Sequence, residues 1–512
     1  MSDLPTYIEG YGSVRPFAGV LPPPTTVTRA ATRVSPAVNG RDKALRGIEA
    51  AFDACVIADG ATLSFHHHLR NGDQVLNQVL AVAARRGLRD LRIAASSLFP
   101  VHSPLIEHMR SGVVTRIATA YVSGPVAEAI SQGGLKHPLV MQTHGGRARV
   151  IEAGELHIDV AFVAAPAADP FGNLSGAQGP AACGPLGYAM VDVQHADRVV
   201  AVTDHLVPHP LCPIDISQEK VDFVVLVDSI GDPKGILSGS TRPTTEPVGL
   251  QIATTAAQVI AASGLLRDGF SFQTGAGGVS IATSQYVKTL MCDRQVVGSF
   301  GAGGVTGYLV DMLEAGRFRT IFDVQCFDLK AVESYRNDRR HQAMSASLYA
   351  NPHNRGPLVD QLDTMLLGAA EVDLDFNVNV TTGSNGVILG GSGGHADTAA
   401  GAKLALVTTR LTAASGPKIV ERVGCITTPG ETIDAVVTEA GVAVHPRRPD
   451  LRERLVSAGV EVLPIDRLRV LANAQSANDS NRTAAHTKHR RIVGIVEYRD
   501  GSVIDLVHQV SV

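Results

Sequence analysis

At residues 272–278 the chain reads Phe272-Gln273-Thr274-Gly275-Ala276-Gly277-Gly278, and at residues 298–304 it reads Gly298-Ser299-Phe300-Gly301-Ala302-Gly303-Gly304. Each run follows an apolar, β-prone stretch and leads into another apolar segment. Glycine loses more conformational freedom on folding than any other residue, so clusters of it are typical of tight turns and of backbone that approaches a ligand. Two runs so close together favour a site built on strand-to-helix turns, although turns chosen only for packing are an alternative.

Apolar strand-like runs alternate with helix-like runs in both halves of the chain. Residues 91–95 and 160–164 are predicted strands, and residues 73–86 are a predicted helix. Such alternation is typical of α/β folds with parallel strands. Near the C-terminus, two apolar runs at 492–498 and 503–507 flank an Asp-Gly turn and predict a β-hairpin.

The two halves also match each other. Asp59-Gly60 before Leu63-Ser64-Phe65 matches Asp268-Gly269 before Phe270-Ser271-Phe272, and residues 196–203 match residues 401–408. The offset is roughly 200 residues in both cases, far longer than the repeat of a solenoid, and it indicates a duplicated domain. Two related α/β domains that face each other would place their strand-end loops on a shared cleft.

Changes in composition divide the chain into segments. Residues 1–45, which include three successive prolines, predict an extended N-terminal arm, and residues 231–249, rich in Pro, Gly, Ser and Thr, predict a linker. We therefore expect a first α/β domain over 46–230 and a second over 250–474. A polar loop at 475–491 and the hairpin at 492–512 complete the chain.

Composition excludes several classes of protein. With 512 residues, 45% hydrophobic and 18% charged, the chain is globular and long enough for two or three domains. No apolar run is long enough to span a bilayer, and the start lacks the pattern of a secretory signal. The six scattered cysteines argue against a zinc site of usual spacing and a disulfide framework, and they fit free thiols in the cytoplasm. A net charge of −4 and the lack of tryptophan give no indication of nucleic-acid binding.

In the first half, the place of the first glycine run is taken by His66-His67-His68-Leu69-Arg70. Imidazoles, a guanidinium and the start of a helix near Asp73 all favour carboxylate oxygens, so an anion site is expected here. Because alternate residues of a strand share a face, metal binding by His66 and His68 alone is an alternative. A strand-end loop with polar caps is a second alternative.

Two further polar, glycine-bearing segments stand out. Residues 142–147 end in a cationic residue and would suit the same anion or a surface turn. Residues 390–397, Gly-Gly-Ser-Gly-Gly-His-Ala-Asp, form the densest glycine cluster and precede a helix-like stretch at 398–403, so their amides would suit a phosphate or a thioester carbonyl. The chain shows no dinucleotide fingerprint, no Walker motif and no nucleophile elbow with a credible triad.

Several of these runs together resemble one family, that of the citrate lyase alpha chain. The resemblance is carried by residues 59–73, 268–278, 297–309, 322–328, 393–403 and 498–505, and it extends over nearly the whole chain. It implies an α/β fold of two tandem CoA-transferase-type (NagB/RpiA-like) open domains with a C-terminal β-hairpin. That expectation agrees with the internal duplication.

The resemblance also implies an activity and partners. A citrate CoA-transferase exchanges acetyl for citrate on an acyl carrier or CoA thioester and gives acetate and a citryl thioester. The implied partners are a beta (citryl lyase) chain and a gamma (acyl carrier) chain in an oligomeric cytoplasmic assembly. No cofactor is expected to be covalently bound to this chain, because the acetyl thioester of a phosphopantetheine-type arm or of acetyl-CoA is a substrate, and neither a metal nor a membrane is expected.

Such chemistry requires the two anionic reactants to be held in contact and the tetrahedral oxyanions to be stabilised. We expect the oxyanion donors in the second glycine run, the substrate-binding groups at the two equivalent strand ends, and the thioester site in the densest glycine cluster. The predicted residues are, in that order, Gly301, Gly303 and Gly304; His66, His67, His68, Arg70, Gly275, Gly277 and Gly278; and Gly393, Gly394, His395 and Asp397.

The wider CoA-transferase fold group includes enzymes that use a glutamate nucleophile in a Ser-Glu-Asn-Gly-type loop, and the second glycine run resembles that loop without any carboxylate. We therefore expect direct attack by citrate and no enzyme-bound thioester, with Asp323, Asp328 and Glu333 as fallback carboxylates. Alternatives are a non-catalytic scaffold subunit, a CoA-transferase for another carboxylic acid, and a sugar-phosphate isomerase or effector-binding module.

Overall fold

A computed structural model describes residues 4–32, 34, 36, 42–66, 68–237, 242–275, 277–476 and 490–510. The strands of the first half are β1 (Tyr7–Ile8), β2 (Gly12–Ser13), β3 (Ala44–Leu45), β4 (Thr62–Phe65), β5 (Leu91–Ala95), β6 (Val114–Thr119), β7 (Leu139–Met141), β8 (Val160–Ala165), β9 (Ala167–Ala168), β10 (Leu174–Ser175), β11 (Arg198–Thr203) and β12 (Phe223–Leu226). The helices of this half are α1 (Gly47–Cys55), α2 (Val75–Arg85), α3 (Leu105–Arg110), α4 (Pro125–Ser131), α5 (His144–Glu152) and α6 (Ala189–His195).

The second half has the same alternation. Its strands are β13 (Ser271–Thr274), β14 (Gly298–Val305), β15 (Phe318–Cys326), β16 (His341–Ala343), β17 (Thr364–Gly368), β18 (Glu371–Val372), β19 (Val378–Asn379), β20 (Leu404–Thr408), β21 (Thr412–Ala413), β22 (Gly416–Pro417), β23 (Ala435–Thr438), β24 (Gly441–Val444), β25 (Ile492–Glu497) and β26 (Val503–His508). Its helices are α7 (Pro247–Ala262), α8 (Gly278–Asp293), α9 (Gly307–Glu314), α10 (Leu329–Asn337), α11 (Ala346–Ala350), α12 (His395–Gly401), α13 (Pro449–Ser457) and α14 (Ile465–Gln475).

The periodicity of the sequence explains these elements. Strand β8 is buried at every position, as expected for a parallel strand covered on both faces. Helix α2 buries Val75, Leu76, Val79, Leu80, Val82 and Ala83, whose spacing of three and four residues forms one apolar stripe. One hydrophobic cluster continues through both halves, so the two sheets share a common core.

Each half is built on one large sheet. The first has the order β26-β25-β7-β6-β5-β4-β8-β11-β12-β3 and the second the order β16-β15-β14-β13-β17-β20-β23-β24. From β7 to β12 and from β16 to β23 the strands are parallel and follow the same order, with β4 corresponding to β13. This agreement confirms the predicted α/β fold class and the predicted duplication.

The turn that precedes β4 in the first half is repeated before β13 in the second. Asp59 Oδ1 accepts the Arg89 amide at 2.7 Å, and Asp268 Oδ1 accepts the Val297 amide at 2.9 Å. Gly60 and Gly269 follow these aspartates with φ of +80° and +86°, in the left-handed region that favours glycine. The Asp-Gly pairs that indicated the duplication therefore make equivalent hydrogen bonds in the two halves, each to the amide of a residue just before the next strand of the sheet.

The predicted hairpin forms and becomes part of the first sheet. Strand β25 pairs parallel with β7 and antiparallel with β26, and the turn between them places Gly501 at φ +84°. The hairpin also reaches the second half, because Arg499 Nη2 donates to the Ala350 carbonyl at 3.0 Å. The last strands of the chain thus complete the sheet of the first domain.

The segments between the predicted domains contain structure of their own, and the domain boundaries stay predictions. Strand β3, at the end of the predicted arm, forms the far edge of the first sheet. A 3₁₀ turn over Pro233–Ile236 lies in the predicted linker, and α7 begins within it at Pro247. Residues 238–241 of the linker and 477–489 of the polar loop lie outside the described residues.

The second glycine run differs from its prediction. It was expected as a strand-to-helix loop, but it forms β14, a strand between β13 and β15, with a bulge between Gly303 and Gly304. Three of its glycines face bulky neighbours: an added Cβ would overlap the Phe318 ring at Gly298, the Gln273 amide at Gly303 and the Phe327 ring at Gly304. Larger residues would not fit at these three positions, because side chains from neighbouring elements occupy the space.

Candidate functional site

Residues that follow the carboxyl ends of the first sheet contact the second half. The His144 amide donates to the Gly393 carbonyl at 2.8 Å, and the Ala346 amide donates to the Gly187 carbonyl at 3.0 Å. A Cβ at Gly187 would overlap the carbonyls of Val324 and Met344, so glycine permits this approach. We call the residues enclosed here, His66, His68, Arg70, His144, Tyr188, Gln273 and Tyr349, the interdomain site.

Arg70 is the charged residue of the interdomain site. Arg70 is 8% exposed. Its guanidinium carbon lies 5.5 Å from the centroid of the Phe99 ring and 4.4 Å from that of the Phe327 ring. Its guanidinium makes a long hydrogen bond, 3.5 Å from Nη1 to the Ile236 carbonyl, and no carboxylate pairs with it among the described residues. Burial lowers the pKa of Arg70 to about 10, so it remains a cation at neutral pH. A buried cation without a counter-ion is suited to an anionic ligand.

The predicted histidines lie beside it. His66 and His68 are buried with their ring centroids 6.1 Å apart, while His67 lies outside the described residues. His66 Nε2 lies 3.3 Å from Asp192 Oδ2, and neither ring nitrogen of His68 has a hydrogen-bond partner among the described residues. Burial lowers the pKa of His68 to about 3, so its imidazole is neutral and can both donate and accept a hydrogen bond.

Three residues of the site were missed in the sequence. The Tyr188 ring lies 4.7 Å from that of His144 and 6.2 Å from that of His68. Gln273 donates to the Tyr349 hydroxyl at 2.7 Å, and Gln273 Oε1 is left without a partner among the described residues. No local pattern marks these residues; the glycine that precedes Tyr188 was a weak signal.

The first glycine run forms the predicted strand-to-helix turn from β13 to α8. The Gly275 amide donates to the Leu366 carbonyl at 2.8 Å, whereas a Cβ at Gly277 would meet no atom within 4 Å. Gly277 is the N-cap of α8 and has open space beside it, whereas a Cβ at Gly278, the first residue of the helix, would lie 2.9 Å from the Arg242 carbonyl. Ala276 lies outside the described residues. This geometry fits the anion-binding role predicted for the run, which stays a prediction.

The predicted thioester residues are engaged in contacts between the halves. Asp397 Oδ1 accepts the Thr143 hydroxyl and Oδ2 the Gly145 amide, both at 2.9 Å, so it caps α5 from the other domain. His395 contacts Thr428 Oγ1 at 2.7 Å and the Gly368 carbonyl at 2.9 Å. The Gly393 amide donates to Ala120, and Gly394 lies against the Tyr349 hydroxyl. These contacts support a structural role for the cluster.

The fallback carboxylates also have partners or lie at the surface. Asp323 is fully buried and contacts His341 Nε2 at 3.1 Å and Cys326 Sγ at 3.0 Å. These three side chains are of types that bind metals, but here they are hydrogen-bonded to one another. Asp328 caps α10 through the Ala331 amide at 2.8 Å, and Glu333 is exposed. None of the three lies free at the end of β14.

A cavity of about 790 Å³ opens at the opposite, amino edge of the first sheet, between Asp59, Asp159 and Arg198. It contains none of the predicted site residues. Within the described residues, no helix combines the length and the apolar character needed to cross a bilayer.

Comparison with known proteins decides the family. The family model for the citrate lyase alpha subunit (CitF) matches residues 41–510. The chain belongs to the citrate lyase alpha-subunit family. This confirms the resemblance and the enzyme that it implied, citrate lyase. The citrate lyase alpha chain of Escherichia coli (strain K12) is 45% identical over 93% of this chain and 92% of its own length. That of Klebsiella pneumoniae is 42% identical over 97% of this chain and 96% of its own length.

Solved structures confirm the family's fold. A citrate lyase alpha subunit from Streptococcus mutans, crystallised in complex with citrate, superposes with a TM-score of 0.94 at 43% identity over 100% of this chain and 99% of that one. A Pseudomonas malonate decarboxylase hetero-tetramer with malonate gives a TM-score of 0.64 at 19% identity over 83% of this chain and 85% of that chain, which shows a shared fold.

Proposed function

We propose that this citrate lyase alpha subunit exchanges acetyl for citrate on an acyl-carrier or CoA thioester, in the interdomain site around Arg70. The observation that carries the proposal is the buried Arg70 guanidinium, which has no carboxylate partner among the described residues. Citrate bears three carboxylates, and the related Streptococcus mutans subunit was crystallised with citrate. A fixed cation between two aromatic rings can hold one carboxylate against the thioester.

The mechanism proposed is direct attack by citrate. At the end of β14 the chain offers glycines, and the nearby Asp323 is tied to His341 and Cys326. A covalent enzyme–CoA thioester needs a free carboxylate nucleophile. A citrate carboxylate would instead displace the thiolate to give a mixed anhydride, and the thiolate would then attack the citryl carbonyl and release acetate.

Partners and location are part of the proposal. We infer a beta (citryl lyase) chain, a gamma (acyl carrier) chain, an oligomeric assembly and a cytoplasmic location, where the six free thiols remain reduced. The acetyl thioester of a phosphopantetheine-type arm or of acetyl-CoA is a substrate, and no cofactor is bound covalently to this chain.

The first experiment incubates the purified chain with acetyl-CoA and citrate and follows acetate and citryl-CoA by mass spectrometry. Formation of both supports the transferase, and no turnover would support a scaffold subunit. Borohydride reduction of the acetyl-CoA-treated enzyme tests the mechanism: a trapped glutamyl or aspartyl thioester would contradict direct attack.

Substitution of the arginine tests the site. Arg70→Leu should raise the citrate KM at least about tenfold, because a hydrogen bond to a charged group contributes about 1.5–3 kcal/mol. Arg92→Leu, which removes a half-buried arginine at the other end of the first sheet, is the matched control and should leave the citrate KM unchanged. An unchanged citrate KM in Arg70→Leu would remove Arg70 from the site.

A further inference from the structure

One hydroxyl of the interdomain site, carried by a buried tyrosine, is not used by the fold. Tyr188 is 5% exposed and stands at the N-cap of α6, directly after the glycine that permits contact with the second half. Its hydroxyl makes no hydrogen bond within the described part of the chain, although its ring is held between His68 and His144. The hydroxyl is not among the fully enclosed polar atoms that lack a partner, so a ligand that enters the site can reach it and accept its hydrogen bond.

Most of the backbone amides that the sequence suggested as oxyanion donors already donate hydrogen bonds within the protein. The second glycine run is a strand paired with both neighbours, and the Gly275 and Gly393 amides donate to carbonyls. Tyr349 differs from Tyr188 in that its hydroxyl already accepts from Gln273 and lies against the Gly394 backbone. Together with the ring nitrogens of His68, the Tyr188 hydroxyl is therefore a donor of the site that makes no hydrogen bond to the described residues.

We propose that the Tyr188 hydroxyl donates the hydrogen bond that stabilises the tetrahedral oxyanions of acyl transfer. The inference rests on the proposed function and adds a catalytic residue to it. The Tyr188 ring stacks on His68, two residues before Arg70, and the preceding Gly187 packs against the Val324 and Met344 carbonyls, so the phenol lies between the proposed carboxylate site and the second domain. Burial raises the pKa of Tyr188 well above its usual range, so the proton stays on the phenol through the reaction.

The proposed step conserves atoms and charge. A citrate carboxylate oxygen bonds to the acetyl carbonyl carbon, and the carbonyl π electrons move to its oxygen, which accepts the hydrogen bond from Tyr188. Collapse breaks the C–S bond and releases the thiolate, leaving the acetic–citric anhydride. The thiolate then bonds to the citryl carbonyl through a second oxyanion, and cleavage of the C–O bond releases acetate. No net proton is transferred, and Tyr188 acts as a donor of hydrogen bonds alone.

Tyr188→Phe removes the hydroxyl and keeps the ring. Loss of one oxyanion donor typically lowers kcat by about 10²–10³-fold, so we expect a fall of that order with the KM values for citrate and acetyl-CoA within about twofold of wild type. A merely structural role would instead change stability or both KM values. The matched control is Tyr498→Phe, which removes a buried hydroxyl of the hairpin that also lacks a partner in the described residues and should keep wild-type kcat.

The outcomes separate this inference from the proposed function. Wild-type turnover with unchanged kcat in Tyr188→Phe would overturn the role of Tyr188 and leave the proposed function standing. Absence of wild-type turnover with acetyl-CoA and citrate would overturn both. A loss of citrate affinity with unchanged kcat in Tyr188→Phe, with the affinity measured by calorimetric titration, would reassign Tyr188 to ground-state binding and refute the oxyanion role.

Discussion

Helices α6 and α12 hold corresponding places in the two halves, and each carries a buried aspartate in its first turn. Asp192 accepts two hydrogen bonds from the Arg147 guanidinium at 2.7 and 2.8 Å, whereas Asp397 lies 3.6 Å from Arg499 Nε and accepts from Thr143 and Gly145. Burial alone would raise the pKa of Asp192, but Arg147 and His66 hold it below its usual range. Burial raises the pKa of Asp397 to about 6 against the weaker effect of Arg499.

The difference shows how a duplicated fold diverged. In the first half the aspartate pairs with Arg147 of α5 and contacts His66 at the end of β4, so its charge is fixed. In the second half the aspartate crosses to the other domain and caps α5, where a neutral carboxyl is tolerated. Corresponding aspartates on similar backbones therefore have different roles: Asp192 neutralises a buried arginine, and Asp397 joins the two domains.

The largest effect on stability is expected from breaking the ion pair between Arg147 and Asp192. Arg147→Met leaves Asp192 buried without its main partner and should lower the free energy of unfolding by about 3–5 kcal/mol. Arg499→Met should cost only about 1–2 kcal/mol, because it removes the hydrogen bond to Ala350 and a long contact to an aspartate that can take up a proton. Urea denaturation followed by circular dichroism measures both. Equal losses would contradict the comparison.

The second prediction concerns pH. The folded-state pKa of Asp397, about 6, lies above its unfolded value, so its stabilising contribution is complete below about pH 4 and is lost as the pH rises through 6. The stability of wild type relative to Asp397→Asn should therefore fall by about 2–3 kcal/mol between pH 4 and pH 7. For Asp192, whose pKa is lowered, the corresponding loss occurs only below about pH 4. The relative stability of Asp192→Asn should stay flat from pH 4.5 to 7, and a slope there would refute the assignment.

The third prediction compares the two glycine runs. Gly304→Ala pushes a methyl group into the Phe327 ring that stacks on Arg70, and overpacking of this kind costs about 1–3 kcal/mol. We expect lower stability together with a raised citrate KM. Gly277→Ala meets open space at an ordinary φ of −77° and is the control. A larger loss of stability in the control, measured by thermal unfolding, would show that the packing argument is wrong.

The smallest effects should come from the repeated turns. Asp59→Ala and Asp268→Ala each remove one carboxylate that accepts a strand-end amide, and each should cost about 1 kcal/mol. Because the two turns are nearly identical, the shifts in urea midpoint should agree. A difference of more than about 1 kcal/mol between them would indicate that the halves have diverged even here.

Features with a local physical cause could be predicted from the sequence. The Asp-Gly turns, the strand at Leu91–Ala95 and the terminal hairpin depend on neighbouring residues and form as expected. The loop predicted at 298–304 is wrong, because glycine in a strand and glycine in a loop have the same sequence signature and the run forms β14. The choice between them depends on Phe318, Gln273 and Phe327, which approach from other elements.

The candidate site was predictable only in part, for a similar reason. Arg70, His66 and His68 follow a strand directly, so their place at its carboxyl end could be read from the order of elements. Tyr188 and Tyr349 enter the site through packing between the domains, and no local pattern specifies that contact. Asp397 was read as a ligand group because its partner Thr143 is distant in the chain.

The pairing of β25 with β7 has a consequence for biosynthesis. A ribosome delivers the chain from its N-terminus, and domains generally fold in that order. Strand β7 pairs with β6 on one edge, and its other edge stays open until residues 492–508 have left the ribosome. An open edge strand is a site for wrong pairing between chains, so nascent or C-terminally truncated copies should be prone to association. The domain that is synthesised first is thus the last to be completed.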